Sequence, residues 1–186
     1  MTPPPAPPFD APRASARLLL RPPRRADLAR VYAIHADPAT NRFNPSGPMR
    51  DPVQAESLLQ GWMDDWARRG FGCWAVAEAE RPEHVVGFGG LSMRYYGAVE
   101  RVNLGYRFDT AAWGHGYATE LARAALAAAF DELGLERVHA LVRPRHEASI
   151  RVLEKIGMRR AGTLDDVPGQ PHSLVWVAER ATRPSS

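Results

Sequence analysis

The chain has 186 residues, of which 45% are hydrophobic and 24% charged, and its formal net charge is +3. This length and composition indicate one globular domain with a hydrophobic core. No apolar run approaches the roughly 18 residues of a membrane-spanning helix, and the basic residues are too dispersed for a typical nucleic-acid-binding surface. A single cysteine, Cys73, excludes an internal disulfide. Because residues 1–12 also lack the basic start and apolar stretch of an export signal, we expect a cytoplasmic protein.

The first half of the chain predicts a tail, two helices and a hairpin. Residues 1–15, which are rich in proline, are expected to form a disordered tail. Asp51 is expected to cap the second helix and Gly70 to end it. The full order is a strand over 16–21, a helix over 26–35, a loop over 41–52, a helix to about 69, and strands over 74–79 and 85–92 joined by a turn at 81–84.

The second half predicts one crossover unit and a closing pair of strands. A strand over 102–108 precedes a long helix, whose apolar residues recur every three or four positions up to Leu133 and stop at Gly134. A strand–helix–strand crossover within one sheet is parallel and right-handed. The sequence therefore predicts an α/β or α+β fold with one central sheet, in a single domain over 16–180 with a C-terminal tail over 181–186. The remaining elements are a strand over 138–142, a helix over 148–156, and strands over 158–164 and 174–179.

A glycine-containing motif lies where the strand over 102–108 meets this long helix. It reads Trp-Gly-His-Gly-Tyr-Ala-Thr-Glu over residues 113–120. Gly114 and Gly116 permit positive φ, so the backbone N–H groups can point one way beside the positive end of the helix dipole. This pattern favours an anion cradle suited to phosphate. It is also compatible with a tight turn that binds nothing, whereas a Walker A loop would need a lysine and a dinucleotide fingerprint a third glycine, where Thr119 stands.

A second motif follows the strand over 138–142. Residues 145–158 read Arg-His-Glu-Ala-Ser-Ile-Arg-Val-Leu-Glu-Lys-Ile-Gly-Met. Alone, this pattern indicates an amphipathic packing helix that ends at Gly157. Because it begins at the end of the next parallel strand, its first turn should face the same sheet edge as the cradle, where ligands of open sheets bind.

The two motifs, about 30 residues apart, resemble the GNAT superfamily of acetyl-CoA-dependent N-acetyltransferases. The residues of both motifs are most similar to the RimJ/RimL-type branch. The same holds for the N-terminal segment Arg17–Pro22 and the Ala26-Asp27-Leu28 that follows it. The resemblance implies a mixed sheet of about seven strands with a splayed parallel central pair, flanked by about four helices. It also implies acetyl-CoA as cofactor and a primary amine as acceptor, either a small molecule or a protein N-terminus. No metal, nucleic acid or membrane is implied, and the protein is expected to be a monomer or homodimer.

The resemblance also implies where the cofactor binds. Its pyrophosphate would lie on the backbone N–H groups of Gly114–Thr119, and its pantetheine arm along the end of the strand over 104–108. Backbone donors near Gly105 and Tyr106 would polarise the thioester carbonyl. The implied cofactor-binding residues are Tyr106, Phe108, Trp113, Gly114, His115, Gly116, Tyr117, Ala118, Thr119, His146 and Ser149.

Several positions depart from the family pattern. Leu153 stands where many members carry a tyrosine acid, and Ser149 matches the serine that the branch is thought to use. We expect Ser149 to donate a hydrogen bond to the leaving sulfur. His146 replaces the usual asparagine, and Asn103 stands where a glutamate often helps to deprotonate the amine.

These departures leave the general base unassigned. Glu100, Glu120 and His115 are candidates by residue type only. The acceptor pocket is expected between the first helices and the loop over 41–50. Aromatic surface for it could come from Trp62, Trp66, Phe71 and Trp74, although core packing is the favoured interpretation of these four side chains. The alternative function is a catalytically degenerate coenzyme A-binding sensor or interaction module.

Overall fold

The computed structural model describes residues 12–181, so the predicted tail residues 1–11 and 182–186 lie outside the described residues. Within this range, eight strands form one sheet with four α-helices around it. The strands are β1 Arg13–Ala14, β2 Leu18–Arg21, β3 Cys73–Glu78, β4 Arg81–Tyr96, β5 Val99–Phe108, β6 Arg137–Val142, β7 Arg159–Leu164 and β8 Ser173–Glu179. The helices are α1 Leu28–Ala36, α2 Pro52–Arg69, α3 Tyr117–Ala127 and α4 Glu147–Lys155.

The strand order in the sheet is β1-β2-β3-β4-β5-β6-β8-β7. All neighbours are antiparallel except β5 and β6, which the α3 crossover joins in parallel. The predicted mixed fold is confirmed, with one strand more than expected. The additional strand, β1, pairs Arg13 with Leu20, so the sheet begins within the segment that was expected to be a tail.

The parallel pair β5 and β6 is splayed. Strand β5 pairs with β4 along its whole length, from Val99 to Phe108, and β6 pairs with β8 along its whole length. Between β5 and β6 the register holds only one pair in the described chain, Asn103 with His139. Beyond this pair, the edge of β5 up to Phe108 has no partner strand among the described residues, and a wedge opens toward the carboxyl ends of both strands.

Different helices cover the two faces of the sheet. On one face, Leu104 and Phe108 of β5 pack in a core cluster with Leu121 of α3 and Leu153 of α4. On the other face, Phe88 of β4 packs with residues of α1 and α2. We call these the α3 face and the α1 face. No helix within residues 12–181 has the length and apolar character needed to cross a membrane.

The helix ends follow the local sequence signals. The side chain of Asp51 accepts a hydrogen bond from Val53 N, and Gly70 ends α2 in the left-handed region at φ 71°. The predicted limits of α2 are therefore confirmed. The next long helix is α-helical only to Ala127 and continues as a π-helical turn, Ala128–Glu132, before Gly134 at φ 64°.

The turn of the β3–β4 hairpin differs from the prediction. The chain reverses at residues 79–80, and residues 81–84 already belong to β4. Register shifts make this possible, because Ala77 pairs with Val85 while Glu78 pairs with Arg81. The extra residues of β4, including Pro82, bulge out of the ladder, where a missing N–H donor is tolerated.

Candidate functional site

The predicted cradle lies at the wedge end of β5. A short 3₁₀ turn, Thr110–Ala112, follows β5 and leads into the glycine motif. Gly114 and Gly116 adopt φ of 80° and 78°, a region that side chains with a Cβ rarely enter. Helix α3 begins directly after Gly116, which is its N-cap residue. The two glycines thus let a tight turn feed straight into a helix.

This turn leaves a row of free donors. Within the described chain, none of the backbone N–H groups of residues 114–119 donates a hydrogen bond. The first one used is that of Glu120, which donates to the carbonyl oxygen of Gly116 at 3.1 Å. Unpaired N–H groups at the positive end of a helix bind anions, and two left-handed glycines allow a ligand to approach the backbone closely. The geometry fits a pyrophosphate.

Ser15, Arg17 and Glu120 form a polar clamp that holds the cradle turn in place. The Glu120 carboxylate accepts hydrogen bonds from Ser15 Oγ at 2.6 Å, Arg17 N at 2.7 Å and Arg17 Nε at 2.9 Å. Arg17 Nη1 donates in turn to the carbonyl oxygen of His115 at 2.8 Å. Burial opposes ionisation of Glu120, but these bonds outweigh it and lower the pKa of the carboxyl group. Glu120 therefore has a structural role, and its hydrogen bonds do not support it as the general base.

The side chains of the cradle are anchored to the strands around it. The half-exposed Trp113 donates from Nε1 to the carbonyl oxygen of Phe108 at 3.0 Å. Tyr117 donates from Oη to Glu78 Oε1 at 2.8 Å, and its ring stacks on His115 with 5.4 Å between centroids. The Phe108 ring is buried in the core, so only its backbone faces the wedge.

Tyr106 and Ser149 meet across the wedge on the α3 face. Their hydroxyl oxygens lie 2.9 Å apart, which links the unpaired end of β5 to the first turn of α4. Burial raises the pKa of Tyr106 to about 12, and the bond to Ser149 offsets only part of that effect. Tyr106 is therefore a neutral hydroxyl at physiological pH, able to donate to Ser149.

His146 caps α4, as its position in the motif predicts. Its Nδ1 accepts from Ser149 N at 3.4 Å, a long bond, and burial lowers its pKa. The imidazole also stacks on Phe43 of the loop before α2, with 4.3 Å between ring centroids and 20° between planes. Phe43 had no local signal in the sequence, because only the fold brings this loop to α4.

An open space lies on the α1 face of β5. Asn103, Gly105 and Arg107 share this face, because Arg107 is the register partner of Phe88, which packs against α1 and α2. A Cβ added at Gly105 would meet only Asn103 Nδ2, at 3.6 Å. Asn103 Oδ1 accepts from the hydroxyl of Tyr96 at 2.8 Å. We call the space above Gly105 the acceptor gap.

The other two candidate bases lie away from this gap. Glu100, near the opposite end of β5, approaches Arg69 at 3.8 Å. His115 is exposed at the outer side of the cradle. Neither is brought to Asn103, and no carboxylate contacts Asn103 among the described residues.

Three of the four aromatic candidates for the acceptor pocket pack in or against the core, as the core-packing alternative predicts. Trp74 is 1% exposed and Trp66 is 8% exposed, and both belong to the core on the α3 side of the sheet. Phe71 packs against the same core cluster. Only Trp62 lies on the α1 face, where it stacks on Phe88 with 5.2 Å between centroids. The apolar spacing of α2 does not distinguish a pocket from a core.

Comparison with known proteins gives one family. A family model described as an acetyltransferase (GNAT) domain matches residues 17–159. The uncharacterized protein YkkB of Bacillus subtilis is 38% identical over 51% of this chain and 55% of its own length. The uncharacterized N-acetyltransferase YoaA of the same organism is 27% identical over 80% of this chain and 82% of its own length. Mycobacterium smegmatis RimJ, solved in complex with CoA-disulfide, superimposes with a TM-score of 0.70 at 24% identity, covering 87% of this chain and 81% of RimJ.

Proposed function

The chain belongs to the GNAT acetyltransferase family, and we propose that it transfers the acetyl group of acetyl-CoA to a primary amine in a ternary complex. One observation carries the proposal: among the described residues, a row of unbonded N–H groups at residues 114–119 lies just beyond the end of β5 that separates from β6. The cradle is suited to a diphosphate, and the unpaired edge of β5 offers backbone groups to an extended chain. Acetyl-CoA has both parts and supplies the activated acetyl group.

We place the two substrates on opposite sides of β5. The cofactor site consists of the cradle, Gly114–Thr119, together with the exposed Trp113 and the backbone of Leu104–Phe108. The acceptor enters from the α1 face through the acceptor gap, where Gly105 leaves the strand uncovered. Unpaired backbone donors near Gly105 and Tyr106 stabilise the oxyanion of the tetrahedral intermediate. Holding both reactants beside one strand supplies much of the rate through positioning.

The chemical step needs two proton movements. The amine must be neutral to attack, and because Asn103 cannot accept a proton, the ammonium loses it to solvent through the gap. As the C–N bond forms and the C–S bond breaks, the nitrogen releases its second proton to solvent. Ser149 Oγ–H hydrogen-bonds the departing sulfur, which takes up a proton from solvent. Tyr106 donates to Ser149 Oγ, so it is a positioning residue that orients the serine hydroxyl toward the sulfur.

The branch and the acceptor class belong to the same proposal. The residues of the motifs over 113–120 and 145–158 support a RimJ/RimL-type enzyme, and RimJ is among the structures with the same fold. Its acceptor would then be a protein N-terminus or a small-molecule amine. His146 occupies the helix-cap position from which the branch's asparagine contacts the cofactor, and the ring's edge beside Ser149 is suited to the same contact.

A thiol-release assay with acetyl-CoA and a panel of amines tests the function. We expect Ser149→Ala and Tyr106→Phe to lower kcat by about 10- to 100-fold, while the Kd for coenzyme A stays within about threefold. Ser57→Ala and Tyr95→Phe, at exposed positions, are the matched controls and should leave kcat unchanged. Binding of coenzyme A without thiol release for any amine would favour the non-catalytic alternative. Unchanged kcat in both site variants would remove the hydroxyl pair from the mechanism.

A further inference from the structure

We propose that Arg107 binds an anionic group on the acceptor, so that the acceptor is an amine that also carries a carboxylate. The inference rests on the proposed acetyl transfer, since it names the substrate class of that same site. Arg107 belongs neither to the cradle nor to the hydroxyl pair of Tyr106 and Ser149.

Arg107 is placed to contact a molecule in the acceptor gap. It lies on the α1 face of β5, two residues beyond Gly105, so the two Cα atoms are separated by about 7 Å along the strand. Strand β6 does not pair with β5 at this level. An arginine side chain spans such a distance easily, and in this structure its Nη1 donates to Asn41 Oδ1 of the loop before α2.

Among the residues that the structure describes, the charge of Arg107 has no counterion. Its side chain is partly buried, and burial lowers its pKa with no carboxylate acting in the opposite sense. Within residues 12–181 it forms no ion pair, and its hydrogen bond goes to the neutral amide oxygen of Asn41. Charged side chains taken out of water are normally paired. A guanidinium held in this state is preorganised for a carboxylate, which it can bind through two parallel N–H···O bonds.

The surroundings do not supply the missing negative charge. Asp166 lies between Arg94 and Arg143, with N···O distances of 3.4 Å to each, so two cations already share this carboxylate. His35 is also buried near Arg107, and burial followed by the charge of Arg107 lowers its pKa to about 4. It is therefore neutral and leaves the charge of Arg107 unbalanced beside the gap. A cation in this state attracts amines that carry an acid group and repels polyamines.

Kinetics with matched acceptors test the inference first. Glycine, serine, phenylalanine and glutamate are each compared with their own amide, and Asp-Ala-amide and Glu-Ala-amide with Asn-Ala-amide and Gln-Ala-amide. We expect kcat/KM to favour the carboxylate member of a pair by about 10- to 150-fold. Preference among free amino acids indicates a small-molecule acceptor, and preference among the peptides an acidic N-terminus. Spermidine should be a poor acceptor.

Substitution of the arginine gives the specific readout. Arg107→Met should reduce the preference ratio to near one, and Arg107→Lys should restore part of it. Arg68→Met, at an exposed position of α2, is the matched control and should keep the wild-type ratio. An unchanged ratio in Arg107→Met, or equal rates for acids and amides in the wild type, would overturn the inference.

A binding measurement separates this inference from the proposed function. N-acetyl amino acids and their amides are added to the protein saturated with coenzyme A, and the shift in thermal unfolding is recorded. We expect the acids alone to stabilise the wild type, and this effect to disappear in Arg107→Met but not in Arg68→Met. Stabilisation without acetyl transfer would keep the anion site and refute the transferase. Transfer with no stabilisation by any acid, and no preference for acids, would keep the transferase and refute the anion site.

Discussion

Replacing Gly116 by alanine tests the cradle with the smallest change available. Gly116 is the N-cap residue of α3 at φ 78° and ψ 9°, a conformation in which any L-residue with a Cβ is strained by roughly 1–2 kcal/mol. The nearest atom to an added Cβ is Arg17 Nη2 at 3.6 Å, an ordinary contact. The cost is therefore backbone strain and not a clash.

The effect on the cofactor follows from how the chain relieves this strain. A rotation of φ away from 78° turns the neighbouring N–H groups out of the cradle, which removes one charge-assisted bond to the pyrophosphate. Such a bond is worth about 1.5–3 kcal/mol, so the Kd for coenzyme A should rise by about 10- to 150-fold. Gly116→Val, in which a β-branched residue would have to adopt positive φ, should abolish measurable binding.

Gly134→Ala is the matched control. Gly134 has φ 64° and no atom within 4 Å of an added Cβ, and it follows the other end of the same helical segment. Both alanine variants should lose about 1–2 kcal/mol of unfolding free energy in urea, but only Gly116→Ala should lose affinity for coenzyme A by calorimetry. Pantetheine, which lacks the pyrophosphate, should bind both variants equally. If the two variants bind coenzyme A within threefold of one another, the assignment of the cradle is wrong.

Two further predictions concern the helix that carries the cradle. Leu121→Ala should cost about 2–5 kcal/mol in urea unfolding, because Leu121 is fully buried in the core under α3; a loss below about 1 kcal/mol would mean that the site collapses around the missing methyls. Glu120→Gln should cost about 1 kcal/mol at neutral pH by weakening the clamp. Because the folded-state pKa of Glu120 is lowered, its stabilising effect is complete above the unfolded-state value near 4.5 and disappears as the pH falls through the folded-state value. The gap between wild type and Glu120→Gln should therefore close in acid, and a gap that is constant with pH would contradict the clamp.

Local signals predicted the parts of the fold that local physics determines. Asp51 and Gly70 mark the two ends of α2, since a side-chain acceptor and a left-handed residue are what helix ends require. Gly114 and Gly116 predicted a turn with positive φ for the same reason. The turn at 79–80 was not predictable, because it depends on register shifts against β3, and Pro82 suggested a turn where the chain forms a bulge.

Contacts between residues far apart in the sequence determine the roles that local patterns did not predict. Glu120 is 105 residues from Ser15 and 103 from Arg17, so its role in the clamp could not be deduced from its own neighbourhood. Arg107 carried a usable signal, because strand alternation places it on the face of Asn103. That Arg107 has no counterion among the described residues could not be predicted, because it depends on which side chains the folded protein brings together.

A crystal structure of the protein with coenzyme A would be the decisive test of the cradle. Pyrophosphate oxygens should lie within about 3 Å of the backbone nitrogens of Gly114–Thr119, with the thiol between β5 and β6 near Ser149. Coenzyme A bound elsewhere, for example in the open groove of about 570 Å³ lined by Asn44, Met49 and Arg50, with the cradle free of phosphate, would contradict it.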